Sequence, residues 1–235
     1  MTDNTLQKTS FATVIRMVAV IASVYGMIRS NSNWMFLTYF TNLSNIFVDI
    51  VLVGFIVFEF RAIIQKKPIV HSNIAYRVKF LATISITLTF LVYMLILAPN
   101  ASGGVLHAYL SNGAGSLCVH FINPVLAILD FFLFDYEFQA TKLDGLYGVI
   151  PPLVYVAFVF TLSFFGMRWG TMYAPYNFLN YGAKVGWFGF DLSTMGWESF
   201  GVGVVYMIVI LVLIFIGLGY LFLFIQGLRK KKKRS

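Results

Sequence analysis

The sequence predicts an all-α polytopic membrane protein, with six transmembrane helices and both termini in the cytoplasm. Three observations carry that expectation. Of the 235 residues, 59% are apolar or aromatic and 11% charged, with a mean hydropathy of +0.82. An ordinary soluble domain carries about 45–50% apolar and about 25% charged residues, so a lone water-soluble globule is excluded. Apolar runs near the roughly 20 residues needed to cross a hydrocarbon core recur six times. Finally, 14 of the 17 Lys and Arg fall in one set of alternate connections: the N-terminus with Arg16, residues 61–79, residues 135–145 and the tail. The opposite set holds only Arg29, Arg168 and Lys184. Positive charge stays inside, which orients the chain.

The first span, 11–28, is read as a retained helix, because Arg16 interrupts its apolar core and no small-x-small cleavage site follows. Spans at 36–60, 79–98, 115–134, 146–166 and 202–226 follow, and a basic tail occupies 229–235. The whole chain, 1–235, reads as one membrane domain of a multi-pass protein of the cell membrane. Six of the basic residues that make the net charge +8 stand in that tail. It is an orientation signal that touches anionic lipid, so membrane lipids are expected partners and nucleic acid is not. The single Cys118 permits no intrachain disulfide, and no Cys/His cluster suggests zinc; no metal and no cofactor is expected. His71 and His107 read as solvated loop residues.

Polar residues within spans are costly and need a reason. In span two, Thr38, Asn42, Asn45 and Asp49 fall within about 60° of arc at 100° per residue, and Trp34 extends the stripe outward. Span four offers His120, Asn123, Pro124 and Asp130. Thr38 and His120 are expected at comparable depth, with Asp49 and Asp130 about 15 Å further in as a second, acidic level. Arg16 reaches nearly the depth of Asp130, which predicts a buried ion pair. Pro124 removes the helical donor of the His120 carbonyl. No G-x-S-x-G, H-E-x-x-H or phosphate-loop motif occurs, so the remaining nucleophile–base combination is a hydroxyl, Thr38 or Thr41, with His120. Thr38 is favoured because Thr41 is rotated about 60° from the stripe. The long segment 167–201 is rich in aromatics, among them Trp169, Tyr173, Phe178 and Trp197. It reads either as an interfacial belt or as a lid over a cavity.

Trp34-Met-Phe-Leu-Thr38, the histidine with a proline four residues later, and Trp169 followed by Tyr173-Ala-Pro175-Tyr-Asn-Phe178 resemble the androgen-induced and androgen-dependent TFPI-regulating membrane proteins. Tyr39-Phe-Thr-Asn-Leu-Ser-Asn45 and His120-Phe-Ile-Asn-Pro124 look still more like bacterial six-span relatives. The resemblance implies an intramembrane hydrolase of fatty acid esters of hydroxy fatty acids, with Thr38 as nucleophile, His120 as base, and Trp169, Tyr173, Pro175 and Phe178 in a lid. Asn42 or Asn123 would donate to the oxyanion, and a lipid ester would be the substrate. The extra polarity of Asn42, Asn45 and Asp49 also admits a proton-coupled transporter or small-ligand receptor, its polar path lined by Thr38, Asn42, Asn45, Asp49 and His120. A membrane scaffold whose polar groups only pack the helices is the third reading.

Overall fold

The computed structural model describes residues 3–30, 33–99, 101, 103–196 and 198–234. Its helices are α1 (Asp3–Ser30), α2 (Phe40–Gln65), α3 (Asn73–Val92), α4 (Gly104–Leu117), α5 (Asn123–Phe134), α6 (Asp144–Tyr147), α7 (Ile150–Phe164) and α8 (Val204–Arg234). Among the described residues, five stretches, Thr5–Ser30, Asn73–Leu95, Gly113–Phe134, Asp144–Phe164 and Val204–Arg229, are long and apolar enough to cross a membrane. Trp197, Ser235 and the side chains of the tail from Lys230 onward lie outside the described residues.

The chain divides into two compact units, Gly145–Leu221 and the remainder. In the larger unit α1 packs on α2, α4 and α5, and α3 packs on α2 and α5. Small residues set the closest approach. A Cβ on Gly26 of α1 would stand 2.8 Å from the Gly115 carbonyl oxygen, and one on Gly115 would stand 3.2 Å from the Gly26 carbonyl oxygen. The two backbones touch here, as small residues allow in lipid, where close packing replaces the hydrophobic drive.

Several boundaries differ from the sequence expectation. Span two is not helical from residue 36: Trp34–Thr38 form a 3-10 turn, capped by the Asn33 side chain, and Tyr39 is extended before α2 begins. Thr38 is therefore off the helix that carries Asn42, Asn45 and Asp49, and the four-residue stripe is broken at its outer end. Span three starts earlier, at Asn73, because Ser72 caps the helix by accepting from the Ala75 N–H. The loop expected between spans three and four contains α4. His107 is on that helix and exposed. Gly113 and Ala114 both take left-handed backbone (φ 62° and 64°), bending the segment just before Gly115.

Two turns of π-helix, Tyr93–Leu97 and Cys118–Ile122, replace regular helix at the ends of α3 and α4. The second follows from Pro124. The Asn123 N–H reaches back to the Cys118 carbonyl, so Val119 loses its usual donor. A wider i→i+5 bond would need the N–H of residue 124, which proline lacks. The π-turn thus orphans the Val119 carbonyl as well as the one opposite the missing Pro124 N–H, and the Asn45 amide satisfies Val119 from α2 at 3.2 Å.

In the smaller unit, the segment 165–203 has its own packing. Trp169 and Met172 exchange backbone hydrogen bonds of 3.0 and 3.2 Å. The buried Asn180 side chain accepts from the Tyr173 N–H and donates to the Glu198 carbonyl. Tyr181 stacks on Trp187, and Tyr176 on Phe178.

Candidate functional site

Three successive layers fill the centre of the larger unit, and helix periodicity explains their order. On α1, residues 23, 19 and 16 descend by about one turn each, and residues 123, 127 and 130 do the same on α5.

The first layer is polar. Ser23 Oγ donates to Asp49 Oδ2 (2.7 Å) and lies 3.3 Å from Asn45 Oδ1. Asn123 Nδ2 donates to Asn45 Oδ1 at 2.8 Å, and Asn45 Nδ2 donates to the carbonyls of Thr41 and Val119. These side chains are all buried. Asp49 Oδ1 and Asn123 Oδ1 have no hydrogen-bonding partner among the described residues.

The second layer is dry. Ala19, Val48, Leu52, Ala82, Ile86 and Ala127 form one buried cluster, each no more than 2% exposed.

The third layer is ionic. Arg16 pairs with Glu59 and, through Nε, with Asp130 at 2.8 Å. Lys79 bridges Asp130 and Asp135, its Nζ 2.7 Å from Asp135 Oδ1. Thr13 adds a hydrogen bond to Glu59, and His71 lies 3.7 Å from the same carboxylate while its ring packs on Phe55. His71 is therefore a half-buried aromatic neighbour of the ionic layer rather than a solvated loop residue. It also lines a cavity of about 340 Å³ with Val70, Asn73, Tyr76, Glu137 and Gln139, none of which belongs to the polar layer.

The expected Arg16–Asp130 pair is present. The expected pairing of depths is not: Asp49 belongs with Ser23, Asn45 and Asn123, whereas the acid of α2 that shares a layer with Asp130 is Glu59. Counting inward from the outer ends misaligned the two helices, because α2 starts only after a 3-10 turn and the fourth span is bent at Gly113. Sequence reasoning also missed Lys79, Glu59 and Asp135, which stand near span ends and read as flanking charges. One signal was present: Lys79, Thr83 and Thr87 recur every fourth residue on one face of α3, and all three are buried.

His120 sits in the π-turn Cys118–Ile122. Its ring stacks on Tyr93, centroids 3.7 Å apart and planes 8° off parallel, and Tyr93 opens the other π-turn. The Tyr93 hydroxyl is held by the Ala108 carbonyl (2.8 Å) and Ser116 Oγ (2.5 Å), which fixes the platform under the imidazole. His120 Nδ1 is buried without a hydrogen-bonding partner. Thr38 is also buried, its hydroxyl donating to the Met35 carbonyl at 2.6 Å. Asn42 donates one amide hydrogen to the Phe36 carbonyl, tying the 3-10 turn to α2. The sequence-predicted residues thus separate into a joined group (Asn45, Asp49 and Asn123, with Ser23 newly added), His120 on its tyrosine platform, and Thr38 with Asn42 at the 3-10 turn.

Trp169, Tyr173, Pro175 and Phe178 belong to the smaller unit. Trp169 and Pro175 are buried, and the Arg168 guanidinium lies over the Tyr173 ring, 3.9 Å from its centroid. Phe164, Phe165, Phe188 and Phe190 of the same unit are largely exposed, as interfacial aromatics are.

Compared with family models, with curated proteins and with solved structures, the chain has no match.

Proposed function

We propose that this chain is a six-span hydrolase of the cell membrane, both termini cytoplasmic, that cleaves a lipid ester of the fatty acid–hydroxy fatty acid type. Thr38 Oγ would attack the ester carbonyl as its proton passes to His120. The alcohol would leave with that proton, and water would then release the acid from Thr38. The resemblance in the Thr38, His120 and Trp169–Phe178 motifs motivates the substrate class. The observation that carries the reading is the His120 imidazole: the ring of a half-buried residue, fixed face-on by Tyr93 in a π-turn, with a buried Nδ1 that makes no hydrogen bond among the described residues. A π-turn is a common device at functional sites. The Thr38 hydroxyl must give up its bond to the Met35 carbonyl to take part.

The dry layer weighs against a transporter. A polar path through Thr38, Asn42, Asn45, Asp49 and His120 would have to cross Ala19, Val48, Leu52, Ala82, Ile86 and Ala127, whose side chains carry no polar group. A hydrolase needs access from one side only.

The test is turnover of a panel of long-chain branched esters by purified protein in detergent. Thr38→Ala is expected to abolish hydrolysis, and His120→Ala to slow it about 10²–10⁴-fold, the usual worth of a general base. Hydrolysis that survives Thr38→Ala rejects the assignment. Proton flux in liposomes that disappears in Asp49→Asn would replace it with the transporter.

A further inference from the structure

The polar layer holds more acceptors than donors, and the hydrogen-bond pattern fixes which are left over. Asn45 Nδ2 faces two backbone carbonyls, Thr41 at 2.8 Å and Val119 at 3.2 Å, which only accept. The Asn45 amide therefore has one orientation, and its Oδ1 must accept. Asn123 must accordingly present its Nδ2 to Asn45, which turns Asn123 Oδ1 away, unpartnered and fully buried. Ser23 has a single proton, and Asp49 Oδ2 is its nearer acceptor at 2.7 Å. Asp49 Oδ1 is left without a partner, in a residue 8% exposed. Asp49 forms no ion pair with a basic side chain among the described residues. Arg16, two turns along α1 from Ser23, is spent on Glu59 and Asp130, beyond the dry layer.

We infer that Ser23, Asn45, Asp49 and Asn123 bind a monovalent alkali cation, with Asp49 Oδ1 and Asn123 Oδ1 as its principal ligands. A hard cation takes oxygen ligands, and carboxylate, amide carbonyl and hydroxyl oxygens supply them here. One carboxylate among neutral groups balances one positive charge, which favours an alkali ion over a divalent one. In membrane proteins such ions sit beside interrupted helices, and the π-turn Cys118–Ile122 is joined to this layer through Val119 and Asn45. The ion would tie α1, α2 and α5 together, so its binding stabilises the fold.

The experiment is thermal unfolding of the full chain in detergent, at fixed pH and ionic strength. Sodium, lithium or potassium chloride is titrated against N-methyl-D-glucamine chloride. A cation that binds the folded state raises Tm along a curve set by its Kd. The expected result is a saturable rise with at least one alkali cation, lost in the isosteric, neutral Asp49→Asn. The midpoint should weaken by about 10-fold or more in Ser23→Ala. Identical wild-type curves in all salts overturn the site, as does a response retained in Asp49→Asn. Should Asp49→Asn fail to fold, an unchanged midpoint in Ser23→Ala overturns it. Stability that ignores every alkali cation but rises on acidification assigns Asp49 a proton instead and also overturns the site. Ester turnover is no part of this readout, so the cation site and the hydrolase fail separately.

Discussion

Removing the Asn45 side chain should destabilise the larger unit, and a second change at Pro124 should return part of the loss. Asn45→Ala leaves the Val119 carbonyl without a donor and Asn123 Nδ2 without its acceptor. An unsatisfied buried carbonyl costs about 1–3 kcal/mol, and an intramembrane side-chain hydrogen bond averages about 0.6 kcal/mol with a maximum near 1.7. Together these predict a loss of about 1.6–4.7 kcal/mol. Pro124→Ala restores an N–H one turn after His120. Whether the segment keeps its π-turn or relaxes to regular helix, Val119 then has a backbone donor, from residue 124 or from residue 123. Asn45→Ala should therefore cost about 1–3 kcal/mol less in the Pro124→Ala background, the part assignable to Val119. The assay is a double-mutant cycle on equilibrium unfolding in mixed detergent micelles, followed by tryptophan fluorescence. Additivity within about 0.5 kcal/mol, the behaviour of independent sites, would refute the claim that proline and asparagine address the same carbonyl.

Three further outcomes follow from the packing. Arg16→Met leaves Glu59 without its guanidinium partner and Asp130 with Lys79 alone, and should cost about 3–5 kcal/mol in the same unfolding assay. Tyr93→Phe keeps the stack on His120 but removes the hydroxyl's hydrogen bonds to Ala108 and Ser116, costing about 0.6 kcal/mol and at most about 1.7. Tyr93→Leu should add about 0.5–1.5 kcal/mol for the lost ring contact, and equal effects of the two variants would contradict the stack. In the smaller unit, hydrogen bonds from Ser193, with Lys184 beside them, hold the exposed Asp191 carboxyl below its ordinary range. A depressed folded value means that its contribution is present above the unfolded pKa and fades as pH falls through the folded one. Ser193→Ala should move the NMR titration of Asp191 upward; an unmoved titration would show that Ser193 does not set it.

Much of this arrangement is legible in the sequence, for reasons that differ by element. The apolar runs announce helices because a helix satisfies all its backbone groups within one segment in lipid, and among the described residues five are long and apolar enough to cross. Asn45, Asp49, His120 and Asn123 are conspicuous because polar side chains are rare at such positions. Pro124 signals a disturbance of the helix, although the sequence does not show that the π-turn orphans the Val119 carbonyl as well. What stays hidden is registration between helices. Ser23 on α1 looks like an ordinary small residue until Asp49 is placed opposite it. Glu59, Lys79 and Asp135 read as flanking charges because the sequence gives no depth for them. The 3-10 turn at Trp34–Thr38 is hidden because Met35, Phe36 and Leu37 continue the apolar run, and it is the Asn33 cap and the extended Tyr39 that separate it from α2.

The central claim, a threonine nucleophile served by an intramembrane imidazole, is met most directly by labelling purified protein with a fluorophosphonate and locating the adduct by peptide mass spectrometry. The account predicts a single adduct on the peptide that carries Thr38, formed slowly or not at all in His120→Ala. An adduct on another hydroxyl, or labelling indifferent to His120, would contradict it.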